Sequence, residues 1–146
     1  MARTKRVVFI ILGGIFLVVG TGAFVLLHWD AKVDELEGIS LVLTEGSASR
    51  AGVEYTVVNN TDGELTYGAR YDLQRRGLFG WEWVLQRANT AWPLSLRVAG
   101  AGTSAAETAD WERGWGFLRP GTYRLVKEVE LNGKGPYRLA VEFEIE

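Results

Sequence analysis

From Ile39 onward, apolar residues return at every second position. Successive side chains of an extended chain point to opposite sides, so this period marks strands with one buried and one wet face. The last run shows it best. Tyr137, Leu139, Val141, Phe143 and Ile145 share one side, and Arg138, Glu142 and Glu144 the other. Before it, Tyr123, Leu125, Val129 and Leu131 oppose Arg124, Glu128 and Glu130. Asn132-Gly133-Lys134-Gly135-Pro136 lies between these runs and reads as a β-hairpin connection. Ile39, Leu41 and Leu43 alternate in a first strand. Val53, Tyr55 and Val57 alternate in a second, up to the turn signal Asn59-Asn60-Thr61-Asp62-Gly63. Leu65, Tyr67, Ala69, Tyr71 and Leu73 form one face of a third; Arg75-Arg76-Gly77 reads as a turn, and Phe79, Trp81, Trp83 and Leu85 alternate in a fourth. Residues 88–102 read as a looser connection, 103–109 as a further strand, and 110–117 as room for one helical turn. The expectation is an all-β fold over residues 39–146, an antiparallel β-sandwich of about seven strands. A closed barrel ranks second.

The period differs at the N-terminus. Val7 to Leu27 is uncharged and almost wholly apolar, long enough as a helix to cross the ~30 Å core of a bilayer. Arg3, Lys5 and Arg6 precede it, while Asp30, Asp34, Glu35 and Glu37 follow. The positive-inside rule then places residues 1–6 in the cytoplasm as a basic tail. Residues 7–28 become a single transmembrane helix, a signal anchor contacting the lipid bilayer, and 29–38 a linker. The domain stands outside the cytoplasm at the cell membrane. Cleavage of a signal peptide after Thr21-Gly22-Ala23 is the rival reading. It leaves Phe24-Val25-Leu26-Leu27 as an apolar new N-terminus, so the uncleaved anchor is preferred.

Several functions lack their parts. There is no cysteine, and His28 is the single histidine. Disulfides, thiolate metal sites and Ser-His or Cys-His catalysis are therefore not expected. Three of the 16 Lys and Arg precede the apolar run and none of the 18 Asp and Glu does, so the rest carries a net charge of −5. Nucleic acid rewards clustered cations and is not an expected partner. No Gly-rich nucleotide loop is present, and no cofactor or catalytic residue is assigned. Glu142, Glu144 and Glu146 read as a solvated strand face. Asn59-Asn60-Thr61 fits a glycosylation acceptor, but the turn explains it.

Leu118-Arg119-Pro120-Gly121-Thr122-Tyr123-Arg124-Leu125-Val126-Lys127 resembles the Pro-Gly-x-Tyr-Arg-x-x-Lys signature of a bacterial immunoglobulin-like domain family, found in small exported or membrane-anchored proteins. Val57-Val58-Asn59-Asn60, Leu65-Thr66-Tyr67-Gly68, Tyr71-Asp72-Leu73, Trp81-Glu82-Trp83-Val84, Asp110-Trp111, Gly116 and Phe143-Glu144-Ile145 extend the resemblance from Ile39 to the end. The longer Ala- and Gly-rich connection around 98–106 departs from it. The resemblance implies an immunoglobulin-like sandwich and brings no catalytic residue or ligand. The residues themselves say something similar. Pro120 fixes φ and Gly121 permits positive φ, building a tight turn into a strand. Tyr123 then stands where its hydroxyl bonds nearby backbone, as in a tyrosine corner.

Phe79, Trp81, Trp83, Trp92, Trp111, Trp115 and Phe117 are dense for one small domain. At least three are expected in the core, with Trp83 as central indole. Trp92, Trp111, Trp115 and Phe117 form the candidate interaction surface, since Trp111 and Trp115 flank a loop. The expected function is a non-enzymatic module that meets a protein or cell-envelope partner through a sheet face or the 88–117 region. The alternative is an inhibitor or regulator of a protease or envelope enzyme, which a projecting ordered loop favours. A hydrolase ranks last.

Overall fold

The computed structural model describes residues 32–146; the membrane helix expected over 7–28 and the tail before it lie outside them. Nine strands follow one another here, with no helix among the described residues. β1 (Ile39–Leu43), β2 (Gly52–Asn59) and β7 (Thr103–Asp110) form one antiparallel sheet in the order β1-β2-β7. The other sheet holds β3 (Leu65–Gly68), β4 (Asp72–Gly77), β5 (Gly80–Trp83), β6 (Leu96–Ala99), β8 (Gly121–Leu131) and β9 (Lys134–Ile145). β8 is its spine. β9 runs along one side of β8, and β3 and β4 lie end to end along the other. β5 pairs with β4 and β6 with β3, so these two share the next row. Nine strands thus fill seven rows, and the count read from alternation is a count of rows.

Alternation builds the core. Val53, Tyr55 and Val57 of β2 face Leu65, Tyr67 and Leu73 across the interior, with Leu125 and Val129 from β8 and Leu139 and Phe143 from β9; all are buried. Fully burying such side chains contributes ~1.5–3 kcal/mol each. The central indole is Trp111, not Trp83. Trp111 is 0% exposed, lies parallel to the Phe143 ring at 5.3 Å, and donates from Nε1 to the Ser49 carbonyl at 3.0 Å. Trp83 ends a four-residue strand at the sheet's edge, where one flank has no neighbour, and stays half-buried.

Other expectations shift at the turns. Arg75 and Arg76 belong to β4, and the chain turns at Leu78-Phe79 between Gly77 and Gly80. The last hairpin turns on Asn132 (φ 51°) and Gly133 (φ 70°) alone, and Lys134-Gly135-Pro136 belong to β9. Both φ values are positive, as the two-residue hairpin with matching twist requires. The connection over 88–102 contains β6. One helical turn does form after β7, where the Trp111 carbonyl accepts from Trp115 N at 2.8 Å. Arg124, expected on a wet face, is 6% exposed, with its guanidinium 4.7 Å from the Trp81 ring centre.

The third strand breaks for a visible reason. Residues 69–71 leave the ladder between β3 and β4. Opposite the gap stands Lys127, 1% exposed, on the inward phase of β8. Its Nζ donates to the carbonyls of Gly68 at 2.7 Å and Arg70 at 3.1 Å. The ammonium takes the place of the missing ladder, since buried carbonyls need donors.

Candidate interaction surface

The structure separates the candidate residues. Trp111 is inside and presents no surface, which corrects its expected exposure: its chain segment turns inward straight after β7, under Phe143. Trp115 and Trp92 are half-buried around Tyr71. Tyr71 stacks on Trp115 at 5.7 Å and meets Trp92 edge-on at 4.7 Å. Trp115 Nε1 donates to the Val84 carbonyl at 2.8 Å, and Trp92 Nε1 to Gln86 Oε1 at 3.3 Å. Each indole N–H is thus committed to its own chain, and both rings brace the 84–95 segment. Phe117 alone of the four is exposed, at 65%.

In the sequence Tyr71 stands on a strand face and within the resemblance, and neither reveals what its hydroxyl does. Its hydroxyl donates to the Asp110 carbonyl at 2.7 Å and accepts from Asp110 N at 2.8 Å. Burial, the largest cause, pushes its pKa up to about 12.

At the other signature turn, Tyr123 Oη donates to the Arg119 carbonyl at 2.8 Å. Arg75 donates to the Pro120 carbonyl at 3.0 Å and lies 5.8 Å from the Tyr123 ring centre. A Cβ on Gly121 would stand 2.9 Å from Arg75 Nε, so the missing side chain makes room for this clamp. Arg75, read as a turn residue, is the part that alternation did not reveal.

Between β6 and β7 lies a polar seam. Glu107 is on the inward phase of β7 with a side chain 10% exposed. Tyr67 Oη donates to its Oε1 at 3.1 Å, and Arg97 Nε stands 3.3 Å from the same atom. Lys127 Nζ lies 5.1 Å from the centre of the Tyr67 ring. Burial lowers the Lys127 pKa to about 8, against the opposing pull of Glu107. Burial and the Glu107 charge raise Tyr67 to about 12, and Tyr55 moves up for the same two reasons. Among the described residues, no three His, Cys, Asp or Glu side chains gather as metal ligands.

The exposed surface nearby is aliphatic. Leu96 and Val98 of β6 are 74% and 54% exposed, and Leu94 just before them is fully exposed. Leu96 stands opposite Gly68 and Val98 opposite Thr66. Because Gly68 offers no side chain, Leu96 overhangs a groove of about 230 Å³ lined by Thr66, Gly68, Leu96, Glu128, Glu130 and Pro136. The row is short and stands among Pro93, Gly100 and Gly102, which obscure it in the sequence. The available signal was alternation at Leu94, Leu96 and Val98.

No curated protein matches the chain. The family model described as bacterial Ig-like domain matches residues 35–144, which takes in all nine strands except the last residue of β9. On that match and the two antiparallel sheets, the chain belongs to the bacterial Ig-like domain family.

Proposed function

We propose that this protein is a non-enzymatic, extracytoplasmic interaction module, anchored in the cell membrane by residues 7–28, that binds a protein partner of the cell envelope through the outer face of β6. The observation that carries this reading is the exposed row Leu94, Leu96 and Val98 beside the groove at Gly68. Contiguous exposed apolar surface rimmed by polar groups marks interaction sites. Glu130 lines the same groove, so the partner that fits offers an apolar side chain flanked by a cation, while the neighbouring Glu128 already meets Arg138 at 3.0 Å. The anchor reading rests on the charge asymmetry around Val7–Leu27.

Inhibition of an enzyme requires a loop that projects. Here the turns at Leu78-Phe79 and Asn132-Gly133 are two residues long. The long 84–95 segment is tied back through Trp115, Trp92 and the Arg87 N bond to the Gly114 carbonyl at 2.7 Å. These features favour the sheet face. A photocrosslinking residue at position 96, tested in intact cells against one at Glu142 on the charged face of β9, checks the reading. A discrete product from position 96 alone is expected. Equal, diffuse products from both positions reject the β6 face.

A further inference from the structure

We propose that β7 is a strand-pairing edge that takes a second copy of this chain, the two β7 strands running antiparallel about Ala106. This goes beyond the β6 reading and does not need the β6 partner. β7 ends the three-stranded sheet, with β2 on one side and, among the described residues, no strand on the other. Tyr71 bonds both the N–H and the C=O of Asp110 from outside the sheet, which fixes the parity of the strand. Even-numbered residues turn their backbone groups away from β2. Asp110 is therefore capped, while Ser104, Ala106 and Thr108 present open N–H and C=O groups, and all three are exposed. Exposed edges are normally blunted by lysine, proline, bulges, shortness or an inward-pointing charge, and the inward charge of β7, Glu107, is already met by Arg97 and Tyr67. β7 is eight residues long, carries no lysine or proline, and pairs with β2 without a break in register.

The sequence of β7 complements itself. With Ala106 facing Ala106 of the second copy, Ser104 faces Thr108 and Thr108 faces Ser104. All the open groups then meet in pairs that exchange two hydrogen bonds each. Glu107 faces Ala105 rather than another carboxylate, and its own charge is already met by Arg97 and Tyr67. By contrast, β9 carries Lys134, Arg138, Glu142 and Glu144, and Asp34 bonds its backbone at Arg138 and Ala140. The contact is small beside the ~1,200–2,000 Å² of a stable interface, so the pairing is weak and rises with local concentration.

The absence of cysteine makes the test direct. Facing residues in such a pair stand ~5.5 Å apart at Cα, within disulfide reach. The full chain carrying Ala106→Cys is expressed in cells, oxidised, and run on a non-reducing gel beside Val42→Cys, an exposed position on the opposite edge strand. At least ~10-fold more disulfide dimer is expected from Ala106→Cys, returning to the control level when Ser104→Pro or Thr108→Pro is added. Both prolines remove only an outward N–H, so either variant serves if the other fails to fold. Dimer no greater than the Val42→Cys control, dimer indifferent to the prolines, or a disulfide to a different protein would each overturn the proposal. The last outcome leaves the wider interaction reading standing.

Discussion

Two regions of one interior are closed by different forces. At the end near Trp111, flat rings close it: Trp111 on Phe143 at 5.3 Å, and Phe143 on Tyr123 at 5.8 Å. Beneath β6 and β7, polar groups close it: Lys127 on two carbonyls, and Glu107 between Tyr67 and Arg97. The aromatic end does the work of the disulfide this cysteine-free domain lacks, through buried area and ring contact. The polar seam gives less net energy, because each buried charge loses hydration before it gains a partner. What it supplies is a defined break between β3 and β4. That break leaves Gly68 at the end of β3, where the groove beside Leu96 opens.

The contrast breaks most readily at Trp111. Trp111→Ala should cost ~3–5 kcal/mol, as large-to-small changes at filled sites do. Urea denaturation measures it, and a loss under ~1 kcal/mol would place the stabilising centre elsewhere.

Lys127→Met should cost ~1–3 kcal/mol near neutral pH, by leaving the Gly68 and Arg70 carbonyls without donors. Its pH signature is more telling. Folded Lys127 loses its proton near pH 8, and the unfolded side chain near 10.5. Between these values the unfolded chain holds more protons, so this group's contribution to stability rises with pH. Tyr67 and Tyr71 act in the opposite sense. Their pKa rises from 10.0 to about 12 on folding, so stability falls as pH climbs through that window. Denaturation midpoints taken across pH 8 to 10 should rise in the native chain relative to Lys127→Met. Parallel profiles would remove the lysine from the seam.

Two hydroxyl deletions sharpen the comparison further. Tyr71→Phe should cost ~1–2 kcal/mol, since Asp110 loses both an acceptor and a donor. Tyr123→Phe loses one bond, to the Arg119 carbonyl, and should cost ~1 kcal/mol. Thermal melts of the two variants should keep that order.

Much of the fold was legible because one face of each long strand is wet. Strands β1, β2, β8 and β9 followed from alternation alone. The failures at Arg75, Arg76 and Lys127 share a cause, their charge. Arg75 and Arg76 looked like a turn because cations usually mark solvent, yet Arg75 lies against Tyr123 and Arg76 stacks 5.1 Å from the Trp81 ring centre. Lys127 sits in phase with core residues, but its charge hid its burial. β6 was missed because four residues among Pro and Gly carry little periodicity. The surface went astray at Trp111, where position in a loop suggested exposure. A loop that follows an edge strand is free to fold its indole under the sandwich. Nothing local in the sequence distinguishes that from an outward turn.

The division between indoles that hold the fold and aliphatics proposed to meet a partner is open to one measurement. The triple variant Leu94→Ser, Leu96→Ser and Val98→Ser is compared with the native chain by thermal melt and by crosslinking in intact cells. All three side chains are exposed, so the melting temperature should stay within about 3 °C. The crosslinked partner should be lost. A partner retained by this variant, yet lost on Trp115→Phe with the melt unchanged, would contradict the division and return the interaction surface to the aromatic loop.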